Sequence, residues 1–134
     1  MEKFNDAISD FDTYINLNPN NPNAFDNRGI ANSRLNNYSE AIDDYTKAIS
    51  MNINFVDAYY NRGNAKQQIG DFNGAIDDYT KEISINCRKL KHYINRGNAY
   101  IRLEKFNDAI SDFDTYIKQN PNNPTAFDNR GKEK

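Results

Sequence analysis

Residues 58–85 read AYYNRGNAKQQIGDFNGAIDDYTKEISI. Both halves of this stretch, 58–69 and 72–85, place apolar or small residues three or four positions apart. This spacing is typical of amphipathic helices, because strands alternate every second residue. Gly70-Asp71, between the two halves, is a turn signal. The stretch therefore predicts two helices joined by a short turn.

The same pattern recurs along the whole chain. The tripeptide Asn-Arg-Gly begins at positions 27, 61, 95 and 129, so each step is 34 residues (61 − 27, 95 − 61, 129 − 95). Aromatic residues keep this step at positions 4, 38, 72 and 106, each followed three residues later by alanine. A fixed period of this length indicates stacked helical repeats. The predicted helices span about 3–17, 22–35, 39–51, 56–69, 73–85, 90–103 and 107–119, and a short one starts at 124.

The small residues inside the helices predict close packing. Gly29, Gly63 and Gly97 fall within predicted helices, where glycine costs about 1 kcal/mol relative to alanine. Because this cost in helix stability recurs at the same position of each repeat, we infer that another helix comes close at that position. The surface expected to face these glycines consists of three alanines in the following helices: Ala41, Ala75 and Ala109.

Composition and charge argue against several classes of function. The chain has 134 residues, with 17 Lys+Arg against 19 Asp+Glu, whereas nucleic-acid binding favours a strongly basic surface. One cysteine, Cys87, and one histidine, His92, exclude an internal disulfide and sites built from several such ligands. No apolar run reaches the ~20 residues of a membrane helix. We therefore expect no cofactor, metal, nucleic acid or membrane partner, and, from the absent signal peptide and lone cysteine, an intracellular location.

The residues that recur every 34 positions make the sequence resemble the tetratricopeptide repeat family, which has a two-helix repeat of the same length. The resemblance is carried by fourth-position aromatics and eighth-position glycines: Phe25, Tyr59, Tyr93, Phe127, Gly29, Gly63, Gly97 and Gly131. It implies an all-α, right-handed superhelical solenoid of antiparallel helix pairs. The single array 1–134 would comprise a second helix at 1–21, full repeats at 22–55, 56–89 and 90–123, and a truncated first helix at 124–134.

The chain departs from the family pattern at two kinds of position. Arginine stands at the seventh position, where the family usually has leucine, and we predict inter-helix pairing of these arginines with a matching row of aspartates. The arginines are Arg28, Arg62, Arg96 and Arg130, and the aspartates are Asp10, Asp44, Asp78 and Asp112. Glu82 stands where the family usually has alanine, which casts doubt on tight packing between the second and third full repeats.

The resemblance also implies a non-enzymatic scaffold that binds an extended peptide or a partner helix in a concave groove. The groove residues predicted by phase are Asn27, Tyr60, Asn61, Asn64, Lys91, Ile94, Asn95, Asn98, Ile101 and Arg102. A row of asparagines can bind a peptide main chain, since each side chain both donates and accepts. Alternatively, the asparagines solvate the groove or bond to neighbouring repeats. The carboxylate clamp of chaperone-binding members is incomplete, because Asp26 and Asn95 stand where it has basic residues.

A second hypothesis concerns the two ends. Residues 2–29 and 104–131 differ at three positions: Asn16/Lys118, Leu17/Gln119 and Asn23/Thr125. Head-to-tail stacking of two chains would nearly continue the repeat, with two positions missing at the junction. The residues predicted to meet there are Phe4, Ile8, Phe11, Phe127 and Arg130. This predicts a self-assembling array, unless Lys132-Glu133-Lys134 shields the end. RNA binding by a helical repeat ranks behind both hypotheses because of the near-neutral charge.

Overall fold

A computed structural model describes residues 2–86 and 91–119, and this part of the chain forms seven helices. They are α1 (Glu2–Leu17), α2 (Pro22–Arg34), α3 (Tyr38–Met51), α4 (Val56–Gln68), α5 (Phe72–Ile85), α6 (Lys91–Arg102) and α7 (Phe106–Gln119). Each helix begins and ends within one residue of its predicted bounds. The short helix predicted from position 124 lies outside the described residues.

The helices form a row in which each one packs mainly against the helices before and after it in the chain. Short turns join the helices from α1 to α5 and join α6 to α7, and helices connected in this way run antiparallel. The first helices of successive pairs, α2 and α4, also touch each other. This places α1 and α7 at opposite ends of the described row and sets α2, α4 and α6 side by side.

Inside each pair, a glycine makes room for an aromatic ring. A Cβ added to Gly29 would lie 2.5 Å from Cε1 of Tyr45, and Gly63 faces Tyr79 in the same way. The third glycine, Gly97, faces Phe113. The close approach predicted at these glycines is therefore confirmed, but the predicted partners are wrong. The alanines are fully buried, and the ring four residues further along lies against each glycine.

The predicted arginine–aspartate pairs form in all three described repeats. Arg28 Nη2 lies 2.7 Å from Asp44 Oδ1, and Arg62 and Arg96 hold Asp78 and Asp112 at 2.7 and 2.6 Å. Each guanidinium also reaches back to the preceding second helix, where it donates to Asp12, Thr46 or Thr80. One arginine thus ties three successive helices. The fourth predicted pair involves Arg130, which lies outside the described residues.

The turn within each pair closes in the same conformation three times. Asn36, Gly70 and Glu104 occupy equivalent positions and have φ values of 63°, 84° and 59°. The next amide N–H donates back to a carbonyl five residues earlier, as from Asn37 to Asn32 at 2.8 Å. This is a Schellman ending, which favours glycine because a Cβ is strained at positive φ.

Glu104 therefore stands at a position where glycine is preferred. We expect Glu104→Gly to raise the free energy of unfolding by about 1 kcal/mol, because it removes left-handed strain from an exposed side chain. The reverse change, Gly70→Glu, should lower it by a similar amount. Urea unfolding followed by circular dichroism measures both. A loss of stability in Glu104→Gly would contradict this account of the turn.

Candidate functional site

A cavity of about 240 Å³ opens between α2 and α4, with α3 behind it. Its lining combines amide, hydroxyl, cationic and apolar groups: Ile30, Ser33, Arg34, Tyr38, Tyr45, Asn61, Asn64, Ala65 and Gln68. Two of the predicted groove residues, Asn61 and Asn64, lie together here. Sequence reasoning did not assign Tyr38 and Tyr45 to the groove, because both belong to a second helix and serve mainly as packing residues.

Asn61 and Asn64 are held by fixed intramolecular partners. Asn61 Nδ2 donates to Asp26 Oδ1 of the preceding repeat at 3.1 Å. Asn64 Oδ1 accepts the hydroxyl of Tyr79. The network therefore assigns the amide orientations, and the Asn61 oxygen and the Asn64 nitrogen are not used in these two bonds. The alternative in which these asparagines bond to neighbouring helices is realised, and each still retains one polar atom for a ligand.

A second cluster joins α4 to α6. Lys91 Nζ lies 4.4 Å from the ring centroid of Tyr60, and the same ring meets the edge of His92 with centroids 4.8 Å apart. Gln67 Nε2 donates to the main-chain oxygen of Asn95 at 3.0 Å. Of the predicted groove residues, Tyr60 and Lys91 are thus brought into direct contact, with the ammonium group held over an aromatic face.

A buried polar pair lies beneath this cluster. His92 Nε2 is 2.5 Å from Glu82 Oε1, and the two side chains are 1% and 0% exposed. They form an ion pair when the imidazole is protonated. One period earlier the same two positions hold Ala48 and Ala58, both fully buried. Glu82 therefore does not open the packing: it is accommodated because the facing alanine is replaced by histidine in the same repeat junction.

This pair could have been found in the sequence by comparing positions across the period. Glu82 and His92 are each one period from an alanine, and they lie on adjacent helices. Two polar residues that replace two small residues together at one junction indicate contact. Considered singly, Glu82 suggested loose packing at this junction, and His92 served only to exclude sites built from several histidines.

The remaining predicted groove residues are more scattered. Asn27 is exposed and lines a different cavity, between α1 and α2. Ile94 packs against Tyr116 and Ile117 of α7. On α6, Asn98 and Ile101 are half-buried. Arg102 is exposed at the end of α6, with its guanidinium carbon 4.7 Å from the ring centroid of Phe72.

The residues predicted for the N-terminal end lie on α1. Phe4 is 37% exposed, and Ile8 is half-buried. Phe11 is half-buried, packs against the buried cluster that contains Ile15, Ala24 and Phe25, and lines the cavity between α1 and α2. Their predicted counterparts, Phe127 and Arg130, lie outside the described residues.

Burial changes the acidity of two groups near the first cavity. Desolvation raises the pKa of Asp26 above its ordinary value, although the hydrogen bond from Asn61 partly opposes this. Burial also raises the pKa of Tyr45 to about 12. Tyr45 therefore presents a neutral hydroxyl, 3.1 Å from Ser33 Oγ, at every physiological pH.

Within 2–86 and 91–119, no cluster of three or more His, Cys, Asp or Glu residues has the arrangement needed to hold a metal ion. Over the same residues, none of the helices combines the length and apolar character required to span a bilayer.

Models of repeat families match three parts of the chain. The model described as "TPR repeat" matches residues 34–70, and two described as "Tetratricopeptide repeat" match 56–86 and 91–123. Together they cover more than half of the sequence. No curated protein sequence matches the chain.

Solved structures with similar folds cover most of the chain. A crystal structure of MamA is 23% identical, with a TM-score of 0.92, over 98% of this chain and 72% of that one. The TPR domain of Arabidopsis OM64 is 27% identical, with a TM-score of 0.79, over 84% of this chain and 93% of that one. The first TPR of Spaghetti (RPAP3), bound to the HSP90 peptide SRMEEVD, is 27% identical, with a TM-score of 0.79, over 84% and 89%. These likenesses confirm the right-handed superhelical solenoid.

Proposed function

Since this chain belongs to the tetratricopeptide repeat family, we propose that it is a non-enzymatic scaffold that binds an extended acidic peptide along α2, α4 and α6. Members and structural relatives of the family are protein-interaction modules, and the RPAP3 domain was solved with a bound peptide. The observation that carries the proposal is the cavity between α2 and α4, where amide groups and a cation lie beside apolar side chains.

The two asparagines in this cavity suit a peptide main chain. With Asn61 Nδ2 engaged by Asp26 and Asn64 Oδ1 engaged by Tyr79, the first amide offers an acceptor and the second a donor. They stand three residues apart on one helix, so they share a face. A main-chain N–H and C=O of an extended ligand would satisfy both groups without regard to its side chains.

The cations of this surface favour acidic ligand side chains. Arg34 lines the cavity, and Lys91 and Arg102 are exposed on α6. The rings of Tyr60 and Phe72 hold the two α6 cations in place, which reduces the entropy lost on binding. Charged side chains of the ligand would meet these groups with favourable Coulomb energy, and binding would weaken as salt is added.

A C-terminal carboxylate fits this surface poorly. Asp26 is buried against Asn61, so a ligand carboxylate placed at Asn61 would meet a second negative charge. Asn95 also stands where the carboxylate clamp has a basic residue. The proposed ligand is therefore an internal acidic segment, and amidation of a peptide terminus would leave its affinity unchanged.

The test uses three matched extended peptides, rich in glutamate, glutamine or lysine, whose binding is measured by fluorescence anisotropy. The glutamate peptide should bind most tightly, and the Lys91→Glu variant should bind it about tenfold more weakly. Lys47→Glu, an equal charge change at an exposed site on α3, serves as the control and should have little effect. Equal affinity for all three peptides would contradict the proposed charge preference.

A second variant tests the role of the amides. Asn64→Asp keeps an acceptor for the Tyr79 hydroxyl and removes the donor that faces the cavity. This variant should bind the neutral glutamine peptide about fivefold more weakly, as expected for the loss of one hydrogen bond. Unchanged binding of the neutral peptide would show that Asn64 does not contact the main chain. The predicted head-to-tail assembly involves a different face, formed by α1 and α2, and does not depend on peptide binding.

A further inference from the structure

A cavity of about 400 Å³ lies between α1 and α2. Asp10, Phe11 and Tyr14 of α1 line it, together with Ala24 and Asn27 of α2. Its exposed surface is mainly apolar, although the carboxylate of Asp10 and the amides of Asn21, Asn23 and Asn27 also line it. Among the described residues, Asp10 pairs with no arginine, although its equivalents in the later repeats all do.

One period further along the chain, the equivalent surface is covered by a helix. The equivalents on α3 are Asp44, Tyr45 and Ala48, and α2 packs on them. Arg28 of α2 binds Asp44, and Gly29 receives the ring of Tyr45. The cavity between α1 and α2 therefore has the lining of a seat for one more first helix.

The polar contact on the other side of this seat is seen at one described junction, since Tyr60 takes the place of Asp26 at the next one. Asp26 of α2 accepts a hydrogen bond from Asn61 of α4, and the equivalent of Asn61 is Asn27. A helix that fits the α1–α2 seat as α2 fits α3 would therefore carry arginine and glycine in the spacing of Arg28 and Gly29. An aspartate in the position of Asp26 would also reach Asn27.

The chain contains a further segment with this spacing outside the described residues. Residues 124–131 read PTAFDNRG and differ from 22–29, PNAFDNRG, at one position. We propose that segment 124–134 of a second copy docks on the α1–α2 seat. The paired groups are Arg130 with Asp10, Gly131 with the ring of Phe11, and Asp128 with Asn27.

The partner is a second copy because the described helices form a row. Each helix packs mainly on its chain neighbours, so α1 and α7 lie at opposite ends of the described row, and segment 124–134 comes four residues after α7 in the sequence. A contact between one end of a copy and the other end of the next is heterologous, and it forms an open array when the rotation between copies does not close a ring. The expected product is an open head-to-tail array that grows with concentration.

Light scattering of the full chain over a wide concentration range tests the proposal. The molar mass should climb from the monomer value of 15.5 kDa without reaching a plateau. Asp10→Arg and Arg130→Asp should each lower the association constant at least about tenfold, because each places like charges opposite one another. Asp6→Arg, an equal charge change at another exposed position of α1, should assemble as the unaltered chain does.

Mixing the two variants provides the decisive comparison. Where the seat of an Asp10→Arg chain meets the end of an Arg130→Asp chain, both charges are reversed and are again opposite in sign. At the other kind of junction, the unaltered Asp10 and Arg130 meet. An equimolar mixture of the two variants should therefore assemble again and show a high molar mass by light scattering, which neither variant shows alone.

Circular dichroism checks that both variants keep their helices. Three results would overturn the proposal. They are a constant mass near 15.5 kDa for the unaltered chain, assembly of Asp10→Arg at the level of Asp6→Arg, and a mixture that stays monomeric.

Discussion

His92→Ala should lower the free energy of unfolding by about 3–5 kcal/mol, the cost of removing one partner from a buried ionisable pair. Glu82 would then keep its carboxylate at 0% exposure without the imidazole 2.5 Å away. Chemical denaturation followed by circular dichroism measures the loss. A loss below about 1 kcal/mol would show that the pair is not a structural element of this junction.

The double variant Glu82→Ala/His92→Ala is the matched control. It recreates the Ala48 and Ala58 arrangement that the preceding junction already packs with both residues fully buried. Because no buried polar group is left behind, the double variant should be more stable than either single variant. This outcome would show that each member of the pair mainly offsets the cost of burying the other. Additive losses would contradict the coupling.

Gly29→Ala should lower the free energy of unfolding by about 2 kcal/mol, although alanine is the better helix former. Its Cβ would lie 2.5 Å from Cε1 of Tyr45, and this ring is 2% exposed and closely packed. Either the ring or α2 must move to relieve the overlap. Thermal and urea unfolding of the same preparation measure the loss.

The sign of this effect should reverse when the ring is removed. In a Tyr45→Leu background, Gly29→Ala should stabilise the chain by up to about 1 kcal/mol, because only the helix propensity remains. The cycle compares the same glycine change in both backgrounds, so the cost of Tyr45→Leu itself cancels. A destabilising Gly29→Ala in both backgrounds would show that the ring is not what requires glycine.

Features that depend on the period could be predicted from the sequence. The recurrence of Asn-Arg-Gly placed the described helices to within one residue, and the equal phase of Arg62 and Asp78 predicted their ion pair. These succeed because each repeat makes contacts mainly with its neighbours, so one period of sequence contains one period of contacts.

Features that break the period were predicted less well. The partner of Gly63 was assigned to Ala75, although the ring of Tyr79 fills the hollow, because phase alone does not tell which side chain of a helix reaches furthest. Glu82 was interpreted alone and not with His92. Among the groove residues, Asn27 and Asn61 share a phase but line different cavities, since none of the described helices covers α1 and α2 in the way that α2 covers α3.

The arginines that tie three helices together also make the first junction chemically different from the next two. Arg28 reaches back to the carboxylate of Asp12, which is 53% exposed, whereas Arg62 and Arg96 reach back to the hydroxyls of Thr46 and Thr80. An exposed charge pair is screened by dissolved ions, and a hydrogen bond to a hydroxyl is much less so. Added salt should therefore weaken the contact between α1 and α2 by up to about 1 kcal/mol, with less effect on the later junctions. Salt concentration would thus act mainly on the helix that forms one wall of the α1–α2 seat.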